Sequence, residues 1–165
     1  MTHRTYDITK PYVWNYQNAP APVQLDIPTF DQSRSYAGMP VDLDVAIAAG
    51  PVLNANWGLY YASLGFDVIT YKTVRSQFKS ASAWPNVWPC KVGGFTTDGL
   101  CANAAGENFA VKFGMPCQHS GTWRGDVEHL RDRLDPKKKL VVSVAGFGDT
   151  AGEIVQDFAR TARWA

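Results

Sequence analysis

The sequence predicts an α/β chain, about three strand–helix steps joined as a parallel sheet with right-handed crossovers, preceded by an irregular arm. Two patterns carry that expectation. Apolar, β-branched runs alternate with segments whose apolar residues recur at helical spacing, and Gly or Pro punctuates the junctions. Size bounds it: 165 residues, 45% hydrophobic and 19% charged, suffice for one ordinary core. A closed barrel of eight such steps takes about 250 residues, so this chain alone does not make one.

Residues 1–38 hold Pro11, Pro20, Pro22 and Pro28 among scattered Tyr and Trp without a sustained period, and read as an irregular arm laid over a larger body at 39–165. Val41 to Val45 alternates apolar and acidic, an outer strand. Ala46 to Ala49 is continuously apolar, a buried strand stopped by Gly50-Pro51. Asn54 can cap a helix whose Trp57, Tyr60, Tyr61 and Leu64 share a face, with Gly65 as its left-handed end. Asp67 to Val74 is a second strand. Residues 76–121 form a Gly-, Trp- and Pro-rich excursion too long for a plain connection, hence a candidate functional loop. Trp123, Val127, Leu130 and Leu134 then give one helical face, closed by Pro136, and Leu140 to Ala145 is a third buried strand. Thr150 and Glu153 make a capping box for a last helix whose Ile154, Val155, Phe158 and Ala162 can face a sheet.

The balance of 16 basic against 15 acidic residues gives no broad field for nucleic acid or an anionic membrane. Lys137 to Lys139 reads as a solvated turn. No apolar run approaches the ~20 residues of a membrane helix, and residues 1–10 lack the apolar centre of a signal peptide, so the chain reads as soluble and cytoplasmic. Cys90, Cys101 and Cys117 suit neither a disulfide framework nor a closed zinc site, and His119 beside Cys117 does not make a metal site.

Four stretches, in order, carry a resemblance. They are Val45-Ala46-Ile47-Ala48-Ala49-Gly50, then Leu64-Gly65-Phe66-Asp67 running into Val68-Ile69-Thr70-Tyr71-Lys72-Thr73, and, more loosely, Phe113-Gly114-Met115-Pro116 with Val141-Val142-Ser143-Val144-Ala145-Gly146. The chain resembles the opening of the dihydroorotate dehydrogenase family and the related pyrimidine-binding barrel of dihydropyrimidine dehydrogenases, over roughly residues 38–165. The resemblance implies the amino-terminal portion, about three βα units, of a TIM (β/α)₈ barrel that binds FMN and a pyrimidine-like small molecule. It places Ala48, Ala49, Gly50, Lys72, Thr73 and Ser143 near the flavin, and Lys72, Gly114 and Met115 near the substrate.

Physical reasons accompany those positions. Small residues at a strand's carboxyl end let a planar ring approach the backbone, although Ala48, Ala49 and Gly50 would equally serve tight strand-to-helix packing. Lys72 lies in an apolar strand and needs an anionic partner, unless its stem simply reaches water. The hydroxyls of Thr73 and Ser143 would face the site or be satisfied in the core. Val111 stands where the family usually carries an asparagine, and valine cannot hydrogen-bond a pyrimidine. No residue offers itself as the proton-abstracting base, and the chain is expected to be inactive alone.

Two other readings remain open. Gly146-Phe147-Gly148-Asp149-Thr150-Ala151-Gly152 has a spacing like that of nucleotide-binding βαβ loops, against which stands the charge of Asp149. Alternatively, the chain is a non-catalytic subunit or fragment whose open sheet edge is covered by a protein partner or by self-association, with Trp14, Trp84, Trp88 and Trp123 as interface or as core.

Overall fold

A computed structural model describes residues 6–27, 34–90 and 108–165. Along the chain come α1 (Tyr12–Gln17), β1 (Arg34–Tyr36), β2 (Met39–Val41), β3 (Ala46–Ile47), α2 (Ala55–Ser63), β4 (Val68–Val74), β5 (Val87–Cys90), β6 (Asn108–Val111), α3 (Ser120–Arg133), β7 (Lys139–Val144) and α4 (Ala151–Trp164). The centre is a parallel sheet in the order β3-β4-β7, with Ile47 opposite Ile69 and Tyr71 opposite Val142. β1 with β2, and β5 with β6, form antiparallel pairs outside it.

The central strand is legible in its composition. Val68, Ile69, Tyr71 and Val74 are buried, and with Val52, Trp123, Val127 and Leu130 they make the core between the sheet and the pair α2–α3. The expected cap of α2 is present, Asn54 accepting from the Trp57 amide at 3.1 Å, and Gly65 ends the helix at φ +100°. Trp123, Val127, Leu130 and Leu134 are buried as one face of α3. Asp126, half-buried on α3, locks the layers together by accepting from the Ala55 amide (2.7 Å) and the Tyr71 hydroxyl (2.6 Å). Thr150 and Glu153 form the capping box of α4.

The other expectations need correction. The arm is not wholly irregular: Tyr12–Gln17 is helical, because Tyr12 packs with Leu53, Trp57 and Tyr60, and the Asn15 carbonyl accepts from the Trp57 indole at 2.9 Å. β1 and β2 form a hairpin across position 38, turning on Ala37 and Gly38 at positive φ. The run Ala46 to Ala49 is neither long nor buried as a strand, since only Ala46–Ile47 pair, at a sheet edge with β4 as sole strand neighbour among the described residues. β7 is half-buried for the same reason. On α4 the apolar face meets no sheet: Ile154, Val155 and Phe158 are exposed, while Asp157 and Thr161 are buried. Asp157 turns that helix inward by accepting from the Phe147 amide at 2.9 Å. In the lysine run, Lys138 is not solvated but reaches the buried Asp67 at 2.8 Å. Trp123 is core, whereas Trp14 and Trp84 are exposed. Residues 91–107, with Cys101, and the side chain of Cys90 lie outside the described residues. Among the described residues no helix is long and apolar enough to cross a membrane.

Candidate active site

At the carboxyl end of the sheet, an open cleft of about 450 Å³ is lined by Ala49, Gly50, Lys72, Thr73, Gly114 and Met115, residues from three separate stretches of chain. Two further predicted residues stand apart: Ala48 is exposed outside the lining, and Ser143 touches the site only through Thr73, their hydroxyl oxygens 2.9 Å apart. That hydrogen bond ties β4 to β7 beneath the cleft, so both hydroxyls have a partner already.

Lys72 is buried on β4, and its ammonium donates to the carbonyls of Thr73, at 3.1 Å, and Pro116. Neither is a full charge. No ion pair among the described residues includes it. Burial pushes its pKa down to about 8; the neighbouring Cys117 opposes that and Arg75 adds to it. Among the described residues, then, no carboxylate meets Lys72 as the anionic partner that the sequence leads one to expect.

The wall opposite in sequence is the turn at Phe113 to Pro116. Gly114 and Met115 both have positive φ, +77° and +48°. A Cβ at Gly114 would lie 2.5 Å from Ser82 Oγ, so glycine is required there. Met115 holds a left-handed conformation at a cost of about 1–2 kcal/mol, a strain that concentrates at working sites. Val111, more than half exposed, lines the same cleft in place of an amide.

Sequence reasoning missed three participants. Tyr12 crosses from the arm to the cleft wall. Asn86, almost wholly buried, holds that wall together: it accepts from the Tyr12 amide, donates to the carbonyls of Ser82 and Ala83, and its own carbonyl accepts from the Lys112 amide at 2.8 Å. Only the polarity of a lone Asn in an aromatic stretch hinted at this. Arg75, just past β4, is buried with Nε lacking any hydrogen bond. An arginine closing a β-branched strand was the available signal.

The glycine loop after β7 looks different. A Cβ at Gly146 would meet the Ile154 carbonyl at 2.3 Å, and one at Gly148 would meet Glu153 at 2.5 Å, so helix α4 itself occupies the space those glycines leave. The amides of Asp149 and Thr150 donate to the Glu153 carboxylate. A phosphate would find the helix terminus already filled by a carboxylate.

A parallel α/β sheet carrying a cation-bearing cleft at its strand carboxyl ends is the arrangement in which such folds place ligands. Comparison with known proteins agrees with the resemblance read from residue order. The chain is 26% identical over 178 aligned positions to the dihydroorotate dehydrogenase of Dictyostelium discoideum, covering 96% of this chain and 48% of that protein. It is similar in structure to dihydroorotate dehydrogenase from Eimeria tenella, both in complex with ferulenol (TM-score 0.67, 16% identity, 93% of this chain and 38% of that one) and ligand-free (TM-score 0.65, 19% identity, 93% and 41%). The chain thus shares a fold with these structures and spans about half the length of the curated relative it matches. No protein-family model matches it.

Proposed function

We propose that this chain forms the first three β/α steps of a (β/α)₈ barrel in an FMN-dependent oxidoreductase of dihydroorotate dehydrogenase type. Its substrate would be a dihydropyrimidine-like ring, and activity would require the remaining strands of the barrel. One observation carries the reading. Residues 49, 50, 72, 73, 114 and 115, chosen for their order in the sequence, converge on a single cleft at the carboxyl end of parallel strands.

The residues present fit a flavin. A Cβ at Gly50 would meet nothing within 4 Å, so the glycine is not demanded by the protein around it and leaves open space at the cleft floor. Lys72 offers a buried positive charge that carbonyls alone compensate. When bound, FMN supplies the two-electron chemistry by accepting hydride from the substrate. The chain's own residues bind and orient. Ala49 and Gly50 form a flat floor, Lys72 favours negative charge above it, and the Gly114-Met115 turn closes one side. Valine at 111 removes an amide contact to the substrate ring, so the substrate would differ from orotate in the groups along that edge. No described residue stands as general base over the floor.

The test is purification of the chain, alone and with any protein that accompanies it, followed by a visible absorption spectrum and a solution mass. Flavin bands that weaken with Lys72→Ala, in a particle heavier than the monomer, support the proposal. Colourless protein in both preparations refutes it. A second reading, a non-catalytic subunit, draws on the exposed Ile154, Val155 and Phe158 of α4, and predicts the heavier particle without the colour.

A further inference from the structure

One wall of the cleft is built on the arm. Tyr12 from the arm and Lys112, Phe113 and Gly114 from the turn after β6 line it together. Phe113 packs against Tyr6 and Tyr12, with ring centroids 5.2 and 5.5 Å apart. Behind them lies Asn86, whose side chain accepts from the Tyr12 amide at 3.2 Å and donates to the Ser82 and Ala83 carbonyls at 2.7 and 3.1 Å. Ser82 donates its own amide to the Phe113 carbonyl at 2.9 Å, and its hydroxyl fills the space beside Gly114. The buried Asn86 amide thus spends its acceptor on the arm and its donors on the segment that shapes the wall.

The two ends of the wall are pinned, Val111 by pairing with Val87 and Cys117 by its two main-chain bonds with Lys79. Between them Gly114 and Met115 hold positive φ, a conformation that persists only where the surroundings enforce it, so the shape of the turn depends on what packs behind it. The arm is organised by Asn15, fully buried, which accepts from the Asp7 amide and donates to the carbonyls of Asp7, Lys10 and Pro11. We infer that residues 6–17 and the wall at 112–115 form one cooperative unit with Asn86 as its positioning residue, so that docking of the arm and occupancy of the cleft reinforce each other. The identity of the occupant rests on the flavin reading above; the cooperation between arm and wall does not. By linkage, a ligand that prefers the docked arrangement strengthens docking by the same factor by which docking strengthens its binding.

The experiment is hydrogen exchange followed by NMR on the full chain, with any accompanying protein. The Trp57 indole N–H, 2.9 Å from the Asn15 carbonyl, reports the arm. The amides of Ser82 and Lys112, bonded to the carbonyls of Phe113 and Asn86, report the wall. The Trp123 indole N–H, 3.0 Å from the Arg75 carbonyl, is the control, since neither partner belongs to arm or wall. Arm and wall should open with one common constant. Asn15→Ala, outside the cleft lining, should speed exchange at Trp57, Ser82 and Lys112 alike, by about tenfold through the lost hydrogen bonds, and leave the control unchanged. Faster exchange at Trp57 with Ser82 and Lys112 unmoved overturns the inference. Saturating FMN should slow the same three protons by about tenfold, and Asn15→Ala should weaken FMN binding correspondingly. Asn86→Ala keeps the main-chain carbonyl that holds Lys112, so FMN should still protect Lys112 and no longer protect Trp57. Equal loss at both would mark Asn86 as merely structural and remove its positioning role; if that variant does not fold, the Asn15→Ala comparison decides alone. Common exchange in a chain that binds no FMN would uphold the cooperation and sink the flavin reading, whereas FMN bound while arm and wall exchange independently would do the reverse.

Discussion

Lys72 supplies the sharpest quantitative prediction, because its burial makes the stability of the protein depend on pH in an unusual direction. Its pKa falls from 10.5 to about 8 on folding, chiefly through desolvation. Between those values the unfolded chain holds a proton that the folded chain has released, so stability rises with pH across the window and levels off above it. The full difference corresponds to about 3 kcal/mol; from pH 7 to pH 9.5 the gain is about 2 kcal/mol by the same linkage. Lys72→Met should remove that gain. At pH 7 the variant escapes the buried charge but leaves the Pro116 carbonyl without its donor, at a cost of about 1–3 kcal/mol. The two effects nearly offset, which makes the slope and not the intercept the test. Urea denaturation of both proteins at several pH values in that window measures it, and the buried tyrosines common to both cancel in the comparison. Parallel curves would refute the argument, for they would mean that Lys72 keeps its full charge in the folded chain at all these pH values. An anion bound in the cleft should hold the proton on Lys72 and flatten the wild-type curve.

Further expectations concern the scaffold. Asn54→Ala removes the acceptor for the Trp57 amide and the donor to the Tyr16 carbonyl, and should cost about 1–2 kcal/mol in urea denaturation. Asp126→Ala orphans both the Ala55 amide and the Tyr71 hydroxyl, and should cost about 3 kcal/mol; Tyr71→Phe should cost less, and the double-mutant cycle should show coupling of about 0.5–3 kcal/mol. Gly114→Ala forces a Cβ against Ser82 at positive φ, and should both lower stability by about 1–3 kcal/mol and weaken whatever ligand the calorimeter detects in the cleft. Val155→Glu, two-thirds exposed on α4, should leave unfolding unchanged within about 0.5 kcal/mol while lowering any mass above the monomer seen in light scattering.

Legibility followed the range of the interactions. The cap at Asn54, the left-handed Gly65, the box at Thr150 and the buried face of α3 are local, three or four residues long, and they stand in the structure where residue spacing put them. Burial of whole elements is not local. Ala46 to Ala49 and Leu140 to Ala145 read as buried strands because their side chains are apolar, yet each lies at an edge of a three-stranded sheet, so one flank has no strand neighbour among the described residues. On α4 the same pattern points to an apolar face that stays exposed, while Asp157 is drawn in to accept from the Phe147 amide. Cleft-lining positions were readable at the ends of two neighbouring strands, at Ala49, Gly50, Lys72 and Thr73, and at the glycine of a tight turn. Tyr12 and Asn86 were invisible because their roles depend on the arm crossing to a segment some seventy positions away, the Tyr12 amide to Asn86 bond spanning a separation of 74.

The two ends of β4 show how one strand divides these tasks. Before it, Asp67 is buried, and burial alone would raise its pKa; Lys138 and the amides of Leu43 and Asp42 outweigh that and hold the carboxyl below its usual range. That charge is compensated within the protein, so it contributes to folding and presents nothing to a ligand. Near the strand's other end, Lys72 meets only carbonyls, and just past it Arg75 keeps Nε without an acceptor. Buried cations left in that state oppose folding, and a chain selected for stability alone would replace them with apolar residues of similar volume. Their place at the carboxyl end, beside a strained Met115 and a floor of small residues, is what the proposed anionic ligand would account for. If Lys72→Met and Arg75→Met together raise the stability of the ligand-free chain at pH 7 yet abolish anion binding, stability and function are separated between the two ends of a single strand.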